Sequence, residues 1–566
     1  NYGRLSVSYG GKFLLGCFLC YFLFDRILVK IIKLNLNLRE NCIERRIYEN
    51  IPFSLSFKVY IFHVLNKDEV HNGAKPHFKE IGPYIFDEYV WKQNISDNVE
   101  EDTMTFTTMK KYVFRPDLSN GLTGEEIVTI IHPVIASIGL TVHFEYRQFL
   151  HVAVQAIHEI FHEPTDVFWT GRAMNLLFDG IEIDCGVTNP LSKLACGEMR
   201  RSAHPSIQKI TKERLKFSFM GGYNNTSHGV WKVNRGVRDV RFVGHVLEVD
   251  GITEMDVWNG DECNKLNGTD GLLFTPLQSK KEPVSIFASQ ICASLHLRYA
   301  RRASFRGVDL GTFVNNFEIN STNSLSCFCR KPDRCPARGT MDLMPCVKAP
   351  VTISQPHFYN ADPSLLANIA SGLKPVREKH EFYLSLEMYS GVPLRGAGRV
   401  QVNFEVEPVK EIEIMANLPK MIFPCVWFEE SADLPDYLVN LLKYTLTFGL
   451  TAHCALQWIT MTYWLLATIG CTTIFLLTRY TDINVLEKDA LFTRSPQISK
   501  IGPIVTMVSE QPLKDFNGVE ANEKDQHDKN CLPKTDAVLL VNEIVTRATS
   551  AANKGHLQND FDQPKP

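Results

Sequence analysis

The sequence predicts an α+β, strand-rich domain held between two membrane-spanning helices. Three observations carry this reading. Ala455 to Leu477 (ALQWITMTYWLLATIGCTTIFLL) runs 23 residues without a charge, a shorter apolar run lies near the N-terminus, and period-two alternation marks both ends of the stretch between them.

The N-terminal run, Phe13 to Phe24, reaches only about 18 Å at 1.5 Å per residue, short of the ~30 Å hydrocarbon layer. Borrowing its flanks gives a span over 9–29, with Lys12 near one interface and Asp25 and Arg26 near the other. A cleaved signal peptide is the competing reading, but no small-x-small site follows; the chain continues with Ile27, Leu28, Lys30 and Lys33. Residues 1–8 then form a cytoplasmic stub, and Asn1 in place of Met reads as a chain lacking a short N-terminal piece.

The C-terminal span is assigned to 455–478. Trp458, Tyr463 and Trp464 lie toward one end and Arg479 follows the other, as amphipathic rings and a cation do at opposite interfaces. Positive charge cannot orient the pair, because Lys30, Lys33, Arg39, Arg45 and Arg46 crowd the side expected outside. Glycosylation signals and cysteines decide instead. Acceptors at Asn94, Asn224, Asn225, Asn267 and Asn320 all fall between the spans and are usable only in the secretory lumen. Ten of the 15 cysteines lie between Lys33 and Ala452, which suits an oxidising compartment. Residues 30–454 are therefore expected outside the cell and both termini in the cytoplasm.

Within that domain, Phe53, Leu55, Phe57, Val59 and Ile61 alternate with polar neighbours, as do Val400, Val402, Phe404 and Val406, predicting half-buried strands. Leu150, Val154, Ile157 and Phe161 recur at helical spacing, and Pro164-Thr165-Asp166 predicts a second helix ending at Gly180. Residues 479–566 are polar and poor in aromatics, which predicts a disordered cytoplasmic tail. A net charge of -3, from 60 Lys and Arg against 63 Asp and Glu, argues against nucleic-acid binding.

One catalytic pattern occurs. His158-Glu159-Ile160-Phe161-His162 is the HExxH arrangement in which two imidazoles a helical turn apart hold zinc beside a general-base Glu, and Glu182 falls where some zinc proteases place a third ligand. Its context argues against it: Pro164 stops the helix, and Glu182 sits in the strand-like Ile181-Glu182-Ile183-Asp184. With no nucleophile elbow, phosphate-binding glycine loop or zinc-spaced cysteine pairs, binding or transport is favoured over catalysis, without metal or cofactor.

Several blocks together resemble the class B scavenger receptor family: Lys79-Glu80-Ile81-Gly82-Pro83-Tyr84-Ile85-Phe86, the cysteine-rich CFCRKPDRCPARGTMDLMPC from Cys327 to Cys346, Pro356-His357-Phe358-Tyr359 and Trp427-Phe428-Glu429-Glu430. Within it, Pro116 to Ile127 and the region around Asn225-Thr226 are most similar to the sensory neuron membrane proteins of insects, in their type-one branch. Glu387-Met388-Tyr389-Ser390-Gly391 departs from the family pattern in lacking a proline. The resemblance implies an antiparallel β-barrel with a helical-bundle cap and an internal hydrophobic tunnel. It also implies disulfides joining Cys263 with Cys327, Cys292 with Cys346, and Cys329 with Cys335; Cys185 and Cys196 are left open between a bridge and buried thiols.

The function implied is capture of lipophilic odorants or pheromones at the dendritic membrane of olfactory neurons and delivery to an odorant receptor, with odorant-binding proteins as possible carriers. General uptake of lipoprotein, carotenoid or cell debris is the alternative. Lys212, Arg214 and Lys216 could dock a carrier or form a solvated face, and Cys17, Cys20 and Cys471 could be palmitoylated or packed.

Overall fold

The computed structural model of the protein describes residues 8, 11–16, 18, 26, 30, 33, 36–201, 204–315, 317, 327–330, 335–444 and 448–492. Two compact units divide the chain: Leu28–Cys454, and Asn1–Ile27 together with Ala455–Pro566.

In the first unit the predicted alternation becomes β1 (Leu55–Val64), with Leu55, Phe57, Val59 and Ile61 buried. It is followed by β2 (Phe78–Asn98), β3 (Thr103–Phe114), β4 (Ile127–Ile131), β5 (Phe168–Arg172), β6 (Ile181–Asp184), β7 (Ile207–Lys209) and β8 (Arg214–Phe217). Then come β9 (Thr226–Asn234), β10 (Val246–Val249), β11 (Val284–Ala288), β12 (Ala293–Phe305), β13 (Val308–Val314) and β14 (Thr340–Asp342). The last are β15 (Val351–Ser354), β16 (Tyr383–Leu386), β17 (Pro393–Val406) and β18 (Met421–Asp433).

Thirteen strands make one sheet in the order β10-β9-β3-β2-β1-β18-β17-β16-β13-β12-β11, with β15 also on β17 and β14 on β15. Its strand pairs are antiparallel. Its two outer strands are bridged by one residue, Thr269, which pairs with His245 beside β10 and with Ile286 of β11. Val246 N–H donates to the Gly268 carbonyl and Phe287 N–H to that of Thr269, each at 2.9 Å. Gly268 is required at this seam: its φ is +91°, and a Cβ would lie 2.1 Å from the Ser285 carbonyl oxygen. The sheet is thus a nearly closed barrel, which removes most of the exposed edge an open sheet would carry.

A helical insertion sits between β4 and β8. It contains α2 (Pro133–Glu145), α3 (Leu150–Ile160) and α4 (Pro190–Arg201), after an earlier short helix, α1 (Ile43–Glu49). The first of the three starts on a histidine cap: His132 Nδ1 accepts from the N–H groups of Val134 and Ile135 at 3.3 and 3.4 Å, with Pro133 at the first helical position. The predicted period over Leu150–Phe161 is realised in α3, whose Ala153, Ala156, Ile157 and Ile160 are buried.

The helix predicted from Pro164 to Gly180 does not form. The segment is β5 and a single π turn, Asn175–Asp179, closed by Gly180 at φ 106°. Asp166 spends its carboxylate on the Phe168 N–H at 2.8 Å, and the Thr170 hydroxyl bonds that of Thr129 on β4 at 2.9 Å. Pairing with β4 suits the Phe-Trp-Thr run better than a helix does.

Four disulfides staple the unit: Cys263–Cys327, Cys292–Cys346, Cys329–Cys335 and Cys185–Cys196. The last joins the end of β6 to α4. A short helix, α5 (Asp436–Leu442), precedes the long α6 (Phe448–Phe492), whose stretch Gln457–Leu486 is long and apolar enough to cross a membrane. That helix runs past Arg479, so the expected disordered tail is helical over its first residues. Residues 11–16 are also helical, and the Lys12 ammonium lies 5.4 Å from the Trp464 ring centroid. The remainder of the expected 9–29 span, with Cys17 and Cys20, lies outside the described residues apart from residues 18 and 26. The tail beyond 492 and Asn320 lie outside them too.

Candidate functional site

Three of the sequence blocks quoted above meet at one place. Glu80 on β2 stands opposite Phe62, Trp427 on β18 stands opposite Tyr60, and His357 follows Pro356 at φ 55°. One carboxylate oxygen, Glu80 Oε2, accepts from His357 Nε2 at 2.6 Å and from Trp427 Nε1 at 2.8 Å. His357 Nδ1 accepts from the Lys374 N–H at 3.0 Å, which assigns the ring proton to Nε2. The Trp427 ring stacks on Tyr60, with centroids 3.8 Å apart and planes at 2°. Gly82 permits the approach of β2, since a Cβ there would sit 2.7 Å from Tyr60 Cδ1.

Burial pushes the Glu80 carboxyl up, but the two hydrogen bonds outweigh it and hold it below its ordinary value. Two residues along β18 from Trp427, Glu429 receives Lys58 Nζ at 2.6 Å and Arg399 Nε at 2.7 Å, while Arg399 Nη1 donates to the carbonyls of Glu378 and Glu381. The arrangement fastens residues 355–382 to β1, β17 and β18. Its polar atoms are committed to one another, which suits a structural clasp and leaves no group poised for proton transfer.

A second cluster lies on the other face of the same strands. Phe57 faces Phe86 and Glu430 in register, Phe86 faces Phe114, and Glu88 faces Tyr112. Lys110, two residues from Tyr112, reaches Glu88 Oε1 at 2.7 Å and Glu430 Oε2 at 3.4 Å. Tyr112 Oη donates to Glu88 Oε1 at 3.4 Å, while Glu88 Oε2 is sealed from solvent without a hydrogen-bond partner. Burial, then the charge of Glu430, pushes Glu88 up to about 7.

Aromatic rings surround this cluster. Phe57 lies 4.9 Å from Tyr112 and 5.7 Å from Phe428, Phe178 lies 4.6 Å from Phe86, and Phe219 lies 6.3 Å from Phe428. Phe114, Phe178, Phe219 and Phe428 remain half-buried, so apolar surface ends against one ammonium and two carboxylates. Sequence reading missed Glu88 and Lys110. The available signal was Glu88 between Phe86 and Val90, a charge at an inward position of a period-two run.

The HExxH residues do not assemble. α3 ends at Ile160, and His162 has a left-handed φ of 56°, so the two imidazoles do not share a helical face. The Glu159 carboxylate accepts from the Thr188 N–H and hydroxyl and the Asn189 N–H at 2.7–3.1 Å, holding the start of α4. The Ser192 hydroxyl leads the contacts that hold it down at about 2. Glu182 lies on β6, 3.9 Å from Arg214. Among the described residues no group of three His, Cys, Asp or Glu side chains is placed to hold a metal.

Of the acceptor asparagines described, Asn94 and Asn225 are exposed and Asn267 is half-buried at the barrel seam. Asn224 is half-buried and its Oδ1 accepts from the Tyr112 N–H at 2.9 Å. In the basic group, Lys216 Nζ donates to the Asp179 carbonyl and the Lys212 carbonyl accepts from Arg200.

The chain combines a disulfide-stapled barrel unit with a helix long and apolar enough to cross a membrane. The profile of the CD36 family matches residues 9–475, and the chain belongs to that family. It is similar to proteins named sensory neuron membrane protein 1 from three insects. In Aedes aegypti the identity is 39% over 438 residues, 77% of this chain and 80% of that protein. In Anopheles gambiae it is 36% over 513 residues, 89% and 93% of the two chains. In Manduca sexta it is 35% over 470 residues, 82% and 90%. The chain is accordingly a membrane receptor of the class B scavenger type, and its relatives are receptors rather than enzymes.

Proposed function

We propose that the protein takes up lipophilic odorants or pheromones at the dendritic membrane of olfactory neurons and passes them, through a hydrophobic tunnel in the barrel unit, to a neighbouring odorant receptor. The observation that carries this is the identity of 35–39% to sensory neuron membrane protein 1 of three insects over most of each chain. The physical need is plain: burying alkyl chain is worth roughly 0.8 kcal/mol per methylene, so a ligand of ~12 carbons has on the order of 10 kcal/mol opposing release into water. A lined path spares it that exposure. No nucleophile, metal or cofactor is required.

The reading includes two spans, at 9–29 and 455–478, with residues 30–454 outside the cell and residues 1–8 and 479–566 in the cytoplasm. Strand pairing supports it, because Ser56 near the start of β1 faces Ser431 near the end of β18. The chain therefore enters and leaves the barrel at the same end of its strands, an arrangement that suits anchoring both ends in a single bilayer.

The test is the response of cells carrying an insect pheromone receptor to a long-chain acetate or aldehyde, with and without this protein. Raised sensitivity or sharper onset and decay supports delivery. An unchanged response alongside retained lipid binding replaces it with general lipid uptake, the other function known from the scavenger class.

A further inference from the structure

The charged cluster at the end of the aromatic surface points to the kind of head group the ligand carries. We propose that Lys110 receives the carbonyl oxygen of an uncharged long-chain ligand, an ester or an aldehyde, and that Glu88 and Glu430 turn away the corresponding carboxylate. This rests on the lipid-carrying reading above and adds to it a ligand class and the residues that select it.

Lys110 is 16% exposed in its side chain and Glu430 40%, whereas Glu88 is fully buried. The cluster is therefore closed at Glu88 and open at Glu430. The short contact of Lys110 is to Glu88 at 2.7 Å; that to Glu430 is 3.4 Å, long enough for an incoming oxygen to take its place. An alkyl chain lying on Phe428 and Phe219 would bring a terminal carbonyl toward the ammonium.

The charge balance decides between ligands. Glu88 and Glu430 face the Lys110 ammonium, with Tyr112 and His228 beside them; the next ammonium, Lys92, is balanced by its own partner Asp270 at 3.0 Å. A neutral carbonyl adds an acceptor and no charge. A fatty-acid anion adds a further carboxylate beside Glu430 and a partly ionised Glu88, and like charges brought together there repel. Burial lowers the Lys110 pKa, but Glu430 and Glu88 outweigh it and hold it well above its ordinary value. The amine thus stays protonated, donating to an aldehyde rather than attacking it.

The experiment compares three probes on the full chain in lipid nanodiscs: a long-chain acetate, the alkane of equal length and the fatty acid of equal length. Removing Lys110 alone would strand Glu88, so the variant is the pair Glu88→Gln with Lys110→Met; Glu430→Gln, at a half-open position, is the second. Expected are unchanged alkane affinity in both, acetate affinity about tenfold weaker in the pair, and fatty-acid affinity about tenfold stronger in Glu430→Gln. Unchanged acetate and fatty-acid affinities, with alkane still bound, overturn the head-group assignment and leave the lipid-carrying reading standing. Failure of the unsubstituted chain to bind either alkane or acetate overturns that reading and this one with it.

Discussion

The imidazoles of His357 and His380 lie parallel, with centroids 4.2 Å apart and planes at 11°, and Glu80 bonds only the first of them. His380 is 3% exposed, and burial, then the neighbouring His357, pushes its pKa down to about 3. The unfolded chain binds that proton more readily, so stability is complete above about pH 6.5 and falls as pH drops toward 3. The expected loss from this ring between pH 7 and pH 5 is at most about 2 kcal/mol, read as a shift of the urea midpoint. His380→Asn, which keeps an acceptor for the Val376 N–H, should shrink the shift. Below about pH 4.5, protonation of Glu80 adds to the loss, because its folded pKa is also depressed.

Glu429 is 5% exposed and serves two cations. Its replacement by Ala leaves Lys58 and Arg399 without their carboxylate and is expected to cost about 3–5 kcal/mol. Glu125→Ala, which breaks an exposed pair with Arg172, should cost less than about 1 kcal/mol. Equal losses in the two denaturation curves would contradict the clasp role.

The Cys185–Cys196 bridge closes a loop with a sequence separation of 11. Chain-entropy arguments place its contribution at about 3 kcal/mol. Cys185→Ser with Cys196→Ser should speed amide hydrogen exchange in α4 while leaving β1 and β18 protected. Uniform acceleration across the barrel would show that the bridge supports the whole unit.

Adjacent glycosylation signals should separate by phenotype. Asn224→Ala removes the acceptor for the Tyr112 N–H and is expected to destabilise the unit by about 1 kcal/mol even without glycans. Asn225→Gln, at an exposed position with φ 57°, should change glycan mass and move the unglycosylated midpoint less than Asn224→Ala does, through the left-handed backbone alone. Glycopeptide mass spectrometry and thermal unfolding read the two effects.

The parts of this fold legible in the sequence were those written in a local period. β1, β17 and α3 follow from alternation or helical spacing because each buries one face against the core. Phe168-Trp-Thr-Gly-Arg172 was misread because its partner, β4, is distant in sequence and only pairing reveals it. The same holds for the sites. Glu80, His357 and Trp427 sat in recognisable blocks, yet nothing local said that one carboxylate oxygen would hold two of them. Glu88 and Lys110 carried less signal still, since their pairing depends on the β2–β3 register and on Glu430 arriving from β18.

The meeting of β1 with β18 also bears on how the chain is made. Ser431 Oγ donates to the Ser56 carbonyl across 375 residues of sequence. At ~5–20 residues per second, β1 waits on the order of 20–75 s after synthesis before its neighbour exists. Throughout that interval one edge of β1 stands without its partner strand. The barrel cannot close before β18 has been made, and yield in a heterologous host should depend on chaperones that guard the first strand until the last one arrives.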